Sequence, residues 1–341
     1  MSKFTNGRSG HASNLPLRAR TIAFAAGALF LASGAPAAAS KIVVIALDRY
    51  FTVAYGINAA ASITGAHGGV GFVRAADGTV TNFNPPGSLQ TYGLGINRKG
   101  TISGDWWDGT LIHGFLRSPE GTITTFDPEG SIDTQPLRIN NAGTIAGEYW
   151  DSNNVAHGFV RGTNGAIAAF DPAGSTGTQA LGINATDAVC GYFTDANNAY
   201  HGFIRAADGT IASFQVSGLP TLAWGINGSG VVTGSYIDSN SGLNHGFVRD
   251  AGGTVISFDA ADNVSTQPQL ITDNGIIAGG YVDDKGYRHG FVRAANGTIT
   301  SFDPPKSTET QAWGIDEKGA ITGFYFVGLK GTTIRAFLRT P

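Results

Sequence analysis

Two carboxylates occupy equivalent places in successive copies of a repeated segment. Asp105 follows "ISG" and Glu148 follows "IAG". Indoles come directly after them: Trp106 and Trp107 behind Asp105, and Trp150 two residues past Glu148. Paired carboxylates on neighbouring elements can act as acid and base in glycoside cleavage. Indole and phenol faces suit sugar rings, so Trp106, Trp107, Trp150, Tyr236 and Tyr281 are the candidate ligand-binding residues. The other copies carry Ala66, Tyr192, Ser235, Gly280 and Phe324 at the carboxylate position, so only two of seven could do acid chemistry. The bland reading of the same residues is two solvated acids among scattered aromatics. No G-x-S-x-G, HExxH or P-loop motif occurs. The lone Cys190 aligns with Ser103, Ala146, Thr233, Ala278 and Thr322, a small buried position and not a nucleophile.

A second constellation is the triplet His-Gly-Phe, at His113, His157, His201, His245 and His289. Five histidines could ligate metal, but a zinc site needs three or four converging on one point. Equivalent positions on outer strands of a ring lie far apart. Each histidine is therefore read as a joint, with its ring bonded to nearby backbone or to the aspartate ending the next strand. The arginine closing the same strand recurs as Arg117, Arg161, Arg205, Arg249 and Arg293. It is read as structural too, through contacts between repeats or with backbone carbonyls. Asp151, Asp238 and Asp283 open D-x-N-like turns. These could hold calcium, yet they lack the glycine and bidentate glutamate of an EF-hand loop, and Asx-turn chemistry accounts for them equally well.

The elements that must position these residues are strands. The segment "TQALGINATDAVCGYFTDANNAYHGFIRAADGTIASF" recurs seven times, with its "IxG" glycine at Gly65, Gly104, Gly147, Gly191, Gly234, Gly279 and Gly323. Each copy reads as four short strands, a to d, from period-2 alternation bounded by Gly, Asn and Asp. Four antiparallel strands every 40–45 residues predict an all-β, seven-bladed β-propeller of four-stranded blades. The chain ends in strand c of the seventh copy, at "TTIRAFLRTP". The segment "IVVIALD" (42–48) overlays "GTITSFD" (297–303), so an N-terminal strand is expected to complete the last blade and close the ring. A four-residue c–d turn would pair Arg293 with Thr298 and set His289 across from Phe302.

The G-I-N, I-x-G-x-Y and H-G-F signatures resemble the bacterial extracellular HAF-repeat family, named for a His-Ala-Phe triplet. The triplet here is His-Gly-Phe in five copies, with "VGF" at 70–72 and "RAF" at 335–337. The resemblance covers residues 41–341. It implies an exported repeat protein and carries no catalytic motif.

Composition fits this reading. Fifty glycines, 42% hydrophobic and 14% charged residues among 341 suit an ordered, turn-rich β protein. Residues 1–39 differ: Lys3, Arg8, Arg18 and Arg20 precede an apolar run and small residues at Ala37–Ala39, the pattern of a cleaved signal peptide. Residues 40–341 are then a single propeller domain, secreted or periplasmic, with no membrane span. Removing four basic residues and no acidic one makes the remainder more acidic than the net −3 of the whole chain, a poor partner for nucleic acid. The b–c hairpins and d–a connectors gather Asp, Asn, Ser and aromatics on one face, the expected ligand face. Three functional readings stand: a non-catalytic binding or scaffold protein for a glycan or an envelope protein, a carbohydrate-active enzyme using Asp105 and Glu148, and a purely structural surface protein.

Overall fold

A computed structural model describes residues 40–262, 264–328 and 333–341. The expected signal peptide lies outside the described residues. Those residues form 28 strands and no helix. After β1 (Lys41–Ile45) they run in sets of four: β2–β5 (Thr52–Ile57, Ile63–His67, Val70–Arg74, Val80–Phe83), β6–β9 (Gln90–Ile96, Ile102–Trp107, Ile112–Arg117, Ile123–Phe126) and β10–β13 (Ser131–Ile139, Ile145–Asp151, Ala156–Arg161, Ile167–Phe170). Then come β14–β17 (Ser175–Ile183, Val189–Asp195, Tyr200–Arg205, Ile211–Phe214), β18–β21 (Thr221–Ile226, Val232–Ile237, Asn244–Arg249, Val255–Phe258) and β22–β25 (Ser265–Ile271, Ile277–Val282, Arg288–Arg293, Ile299–Phe302). The last set holds β26–β28 (Ser307–Ile315, Ile321–Val327, Thr333–Thr340). Each set is an antiparallel meander, called here units 1 to 7, with strands a to d. Single parallel pairs, Asp133 with Ile112 and Arg288 with Glu309, join unit 2 to 3 and unit 6 to 7.

β1 pairs antiparallel with β28, from Lys41 opposite Thr340 to Ile45 opposite Ala336. The first strand of the chain thus takes the place of strand d beside the last. Each strand a packs on the strand a of the next unit, and β26 packs on β2.

The local chemistry explains the repeat. A register shift in strand a, such as that between Ala180 and Gly182, pushes a carbonyl towards strand b. The "IxG" glycine receives it: an added Cβ at Gly147 would lie 2.1 Å from the Gln135 carbonyl oxygen, and at Gly191 1.9 Å from that of Gln179. No side chain fits there. The triplet phenylalanine is fully buried in all seven units. Its neighbouring glycine leaves room for the strand d phenylalanine, whose ring carbon would meet an added Cβ at 2.6 Å at Gly290. In unit 7 that partner is Ile45 of β1, and the glycine is replaced by Ala336. The departure from Gly to Ala therefore follows from a smaller facing residue.

The G-I-N asparagines tie units together. Asn97 Oδ1 accepts from the amides of Lys99 and Thr101, and its Nδ2 donates to the Asn140 carbonyl at 3.2 Å. The same link runs from Asn58 to 97, from 140 to 184, from 184 to 227, and from 227 to Thr272. Each closing arginine lies over the strand d phenylalanine of the preceding unit, as Arg161 over Phe126 at 4.7 Å and Arg293 over Phe258 at 4.8 Å. Such contacts contribute about 0.5–2 kcal/mol each.

One expected register is displaced. Arg293 pairs with Ile299 and Gly290 with Phe302, because the turn closes as Ala294 N–H to Thr298 carbonyl with Gly297 at φ +91°. The extra turn residue moves the histidine off Phe302 and onto Asp303.

Candidate functional site

The repeated polar residues are occupied with one another. His289 Nδ1 lies 2.6 Å from Asp303 and its Nε2 3.4 Å from Asp283. His113 bridges Asp127 and Asp108 in the same way, at 2.6 and 3.3 Å. His157 contacts Asp171 at 2.7 Å, His245 contacts Asp259 at 2.9 Å, and His201 contacts Asp195 at 3.0 Å. Burial works to lower the pKa of His113 and His289, but the hydrogen bonds and charges of their aspartates outweigh it and raise both. Each ring also rests on an aromatic of strand b. Trp106 lies on His113 at 4.6 Å, Tyr281 on His289 at 5.0 Å and Tyr236 on His245 at 5.4 Å. Three of the candidate ligand-binding aromatics are thus placed against the triplet histidines.

The aspartates of the b–c hairpins sit in Asx turns. Asp151 Oδ1 accepts from the Asn153 and Val155 amides, Asp283 Oδ1 from Lys285 and Tyr287, and Asp238 Oδ1 from Asn240. Among the described residues no group of three or more His, Cys, Asp or Glu is arranged to hold a metal ion. Cys190 is buried, and burial pushes its thiol up to about 12.

The departures from the repeat gather at the inner ends of the units. Asp105 and Glu148 are 1% and 5% exposed. In the ladder, Asp105 stands opposite Tyr92, and Glu148 opposite Gln135. Glu148 Oε2 is buried without a hydrogen-bond partner among the described residues. Burial, and next the nearby charge of Asp133, push Glu148 up to about 8, so its carboxyl is largely protonated at neutral pH. Gln135 Nε2 donates to the Asp133 carboxylate at 3.3 Å. Burial and the Glu148 charge raise the Tyr192 phenol. Trp150 lies opposite Asp133 in the ladder and Trp107 opposite Gln90, both half-buried. A carboxyl held neutral in such surroundings can donate a proton or a hydrogen bond.

Aromatics fill the neighbouring arc. Tyr55 contacts Tyr92 at 6.5 Å and both Trp313 and Phe324 at 6.0 Å, joining units 7, 1 and 2. An axial cavity of about 180 Å³ is lined by strand a of every unit, including an isoleucine from each. It lies towards the a–b turns, away from the b–c hairpins. Arg138 lines it, and its Nη2 donates to the Trp313 carbonyl on the far side at 3.3 Å. Sequence reasoning passed over Arg138, although "PLRIN" against "ALGIN" displays it, and over Asp133, which no repeat position marks.

The chain matches no family model and no curated protein. It is similar to solved structures of β-propeller proteins. Virginiamycin B lyase from Staphylococcus aureus aligns with a TM-score of 0.62 at 12% identity, over 89% of this chain and 99% of that one. The β-propeller domain of the Trilobed protease from Pyrococcus furiosus, which has an open velcro topology, aligns with a TM-score of 0.58 at 10% identity, over 85% and 96%. Puromycin hydrolase aligns with a TM-score of 0.52 at 12% identity, over 82% and 50%. At such identities the likeness establishes the fold alone: this chain is a β-propeller.

Proposed function

We propose that the chain is an exported seven-bladed propeller, closed by β1, that binds a glycan at its axis without transforming it. Export is supported by the basic, apolar and small-residue run of residues 1–39. Closure is supported by the β1–β28 ladder and by the packing of β26 on β2. The observation that carries the binding reading is the division of labour between residues. The repeated His, Arg, Asn and Gly serve joints within and between units, whereas the irregular side chains collect around the axis. Units 7, 1 and 2 supply aromatic faces (Trp313, Tyr55, Tyr92) and unit 3 supplies acid and amide groups (Asp133, Glu148, Gln135), the two kinds of surface a sugar ring uses.

The test is a glycan array probed with the purified protein, with calcium and then with a chelator. Selective binding that Trp150→Ala weakens at least tenfold supports the reading. Signal lost only with chelator would shift attention to the hairpin aspartates. Silence in both conditions removes the glycan and favours an envelope protein partner or a structural surface role.

The protonated carboxyl favours one further reading, a carbohydrate-active enzyme. Glu148, held near 8, would be the acid, and Asp105 on the adjacent unit its partner. Glu148→Gln would then abolish turnover of any glycan the array identifies while leaving binding within a few-fold. Turnover undiminished in both Glu148→Gln and Asp105→Asn removes this reading.

A further inference from the structure

Arg138 breaks the repeat where it is most constrained. Five units place glycine at this point of strand a, at Gly56, Gly95, Gly182, Gly225 and Gly314, and unit 6 places Leu270. The facing residue of strand b changes with it. Thr64, Ser103, Cys190, Thr233 and Thr322 face the glycines, and an added Cβ would meet the Ser103 Oγ or Cys190 Sγ at 2.8 Å. Opposite Arg138 and Leu270 stand Ala146 and Ala278. A smaller neighbour has been fitted to each larger side chain, so Arg138 is built into the fold.

A leucine would fill that space without bringing in a charge. The guanidinium instead lines a cavity walled by an isoleucine of every unit and by strand a glycines, where desolvation pushes Arg138 down to about 10. Its hydrogen-bond partners are two backbone carbonyls, Leu137 and Trp313, both at 3.3 Å. None of the ion pairs among the described residues includes it. Five donors in a rigid fork meet two long contacts, in a cavity rimmed by the half-exposed Ile139, Ile183, Ile271 and Ile315.

We infer that the axial cavity at Arg138 is a binding site for a small carboxylate, either a free organic acid or the acid group of a uronic sugar. The planar carboxylate matches the guanidinium fork in two parallel hydrogen bonds, and the burial of the guanidinium raises the strength of that pair above its value in water. The cavity shares Tyr55 and Trp313 with the surface proposed for a glycan, but the acid group is read from Arg138 alone and does not depend on the glycan reading. Silence of neutral glycans on an array leaves it untouched.

The test is calorimetry of the purified protein with acetate, glucuronate and glucose. Binding of acetate and glucuronate with glucose inert supports the proposal, and their ratio tells the sources apart: equal affinity means the acid group alone is recognised, and at least tenfold preference for glucuronate means the sugar is too. Arg138→Lys keeps the charge and loses the fork, and should weaken binding at least tenfold. Arg138→Leu copies unit 6, where a leucine already faces alanine, and should fold and bind none. Carboxylates that bind no better than glucose to the unsubstituted protein, or equally well to Arg138→Leu, overturn the proposal.

Discussion

The rim and the axis of this propeller obey different rules. At the rim, strand c makes the same contacts in unit after unit: histidine to aspartate, arginine over phenylalanine, and a buried triplet phenylalanine at 0% exposure seven times over. At the axis, the residue after the "IxG" glycine is Ala, Asp, Glu, Tyr, Ser, Gly or Phe, no two alike. Repetition marks what every unit needs in order to stack. Variation marks what the folded propeller is free to use, because the joints already hold it. A polar residue found many times is therefore the weaker functional candidate. The single arginine of strand a, Arg138, is a stronger one than any of the five histidines.

The sharpest break of that contrast is a rim-type constraint inside strand b. Gly147→Ala would drive a methyl into the Gln135 carbonyl at 2.1 Å. The a–b ladder must part, at a cost of about 4 kcal/mol or more. Loss of soluble protein, or a collapse of the urea midpoint, is expected. Gly174→Ala serves as control, since nothing lies near it and only its φ of +80° is strained, a cost of about 1 kcal/mol. Equal stability of the two variants would remove the bulge as the reason for the glycine.

Next comes removal of residues 41–48. It uncovers the outer edge of β28 and takes away Ile45, buried at 4%, which opens the apolar cluster of Phe72 and Ala336 to water. A loss of about 3 kcal/mol or more is expected in chemical denaturation. An unchanged midpoint would mean that β1 is no part of the last unit.

Much of the fold could be read in the sequence because the constraint repeats. Glycine at "IxG" and alternation in "YHGFIR" appear seven times, and each copy corrects errors in reading the others. The "IVVIALD" overlay found the strand beside β28 for the same reason, but its register was two residues off: it set Leu47 on Phe302, whereas Ile45 holds that place opposite Ala336. The c–d register failed because it depended on turn geometry, where one residue of Gly297 at positive φ shifts every partner. The axis was only half legible. Asp105 and Glu148 stood out as departures at an aligned position, but nothing in the sequence discloses that burial beside Asp133 holds Glu148 near 8. Asp133 lies in the stretch of strand a where register shifts scramble the alignment. Trp106, Tyr236 and Tyr281 looked like platforms, yet their spacing puts them over the histidines two strands' width from the axis.

Glu148 sharpens the contrast from the axial side. Its folded pKa of about 8 lies above the 4.5 of the unfolded chain. The folded state therefore holds a proton that the unfolded state releases, and stability falls as pH rises from about 4.5 to 8. Glu148→Gln removes that slope. At pH 8 the variant should be the more stable by about 2–4 kcal/mol, the linkage value discounted for water entering on ionisation. At pH 5 the two should nearly coincide. Parallel curves for denaturation midpoint against pH would show that Glu148 is not kept protonated. A rim residue such as His157, replaced by Ala, should instead cost stability at every pH tested.

The smallest effect asks whether rim and axis meet at a seam. The asparagine chain runs from Asn58 through Asn227 to the Thr272 carbonyl, each Nδ2 reaching into the next unit. In unit 7 the same position is Asp316, whose Oδ1 accepts from the Lys318 and Ala320 amides as an asparagine would. A carboxylate has no Nδ2 to offer, and Asp316 and Asn58 line one small cavity of about 110 Å³. Asp316→Asn keeps both accepted bonds and supplies the missing donor, aimed at the Asn58 carbonyl if unit 7 stands to unit 1 as unit 1 stands to unit 2. A gain of about 0.5–1.5 kcal/mol is expected, the ordinary worth of one hydrogen bond. The reverse change, Asn97→Asp, should lose a similar amount by cutting a link that exists. If Asn97→Asp destabilises while Asp316→Asn does nothing, the chain of links is real but the last unit does not sit on the first in the common geometry. The last unit would then meet the first through the aromatic contacts of Tyr55 with Trp313 and Phe324, and through β1, which runs from the β28 ladder into unit 1, not by the joint that serves the other units.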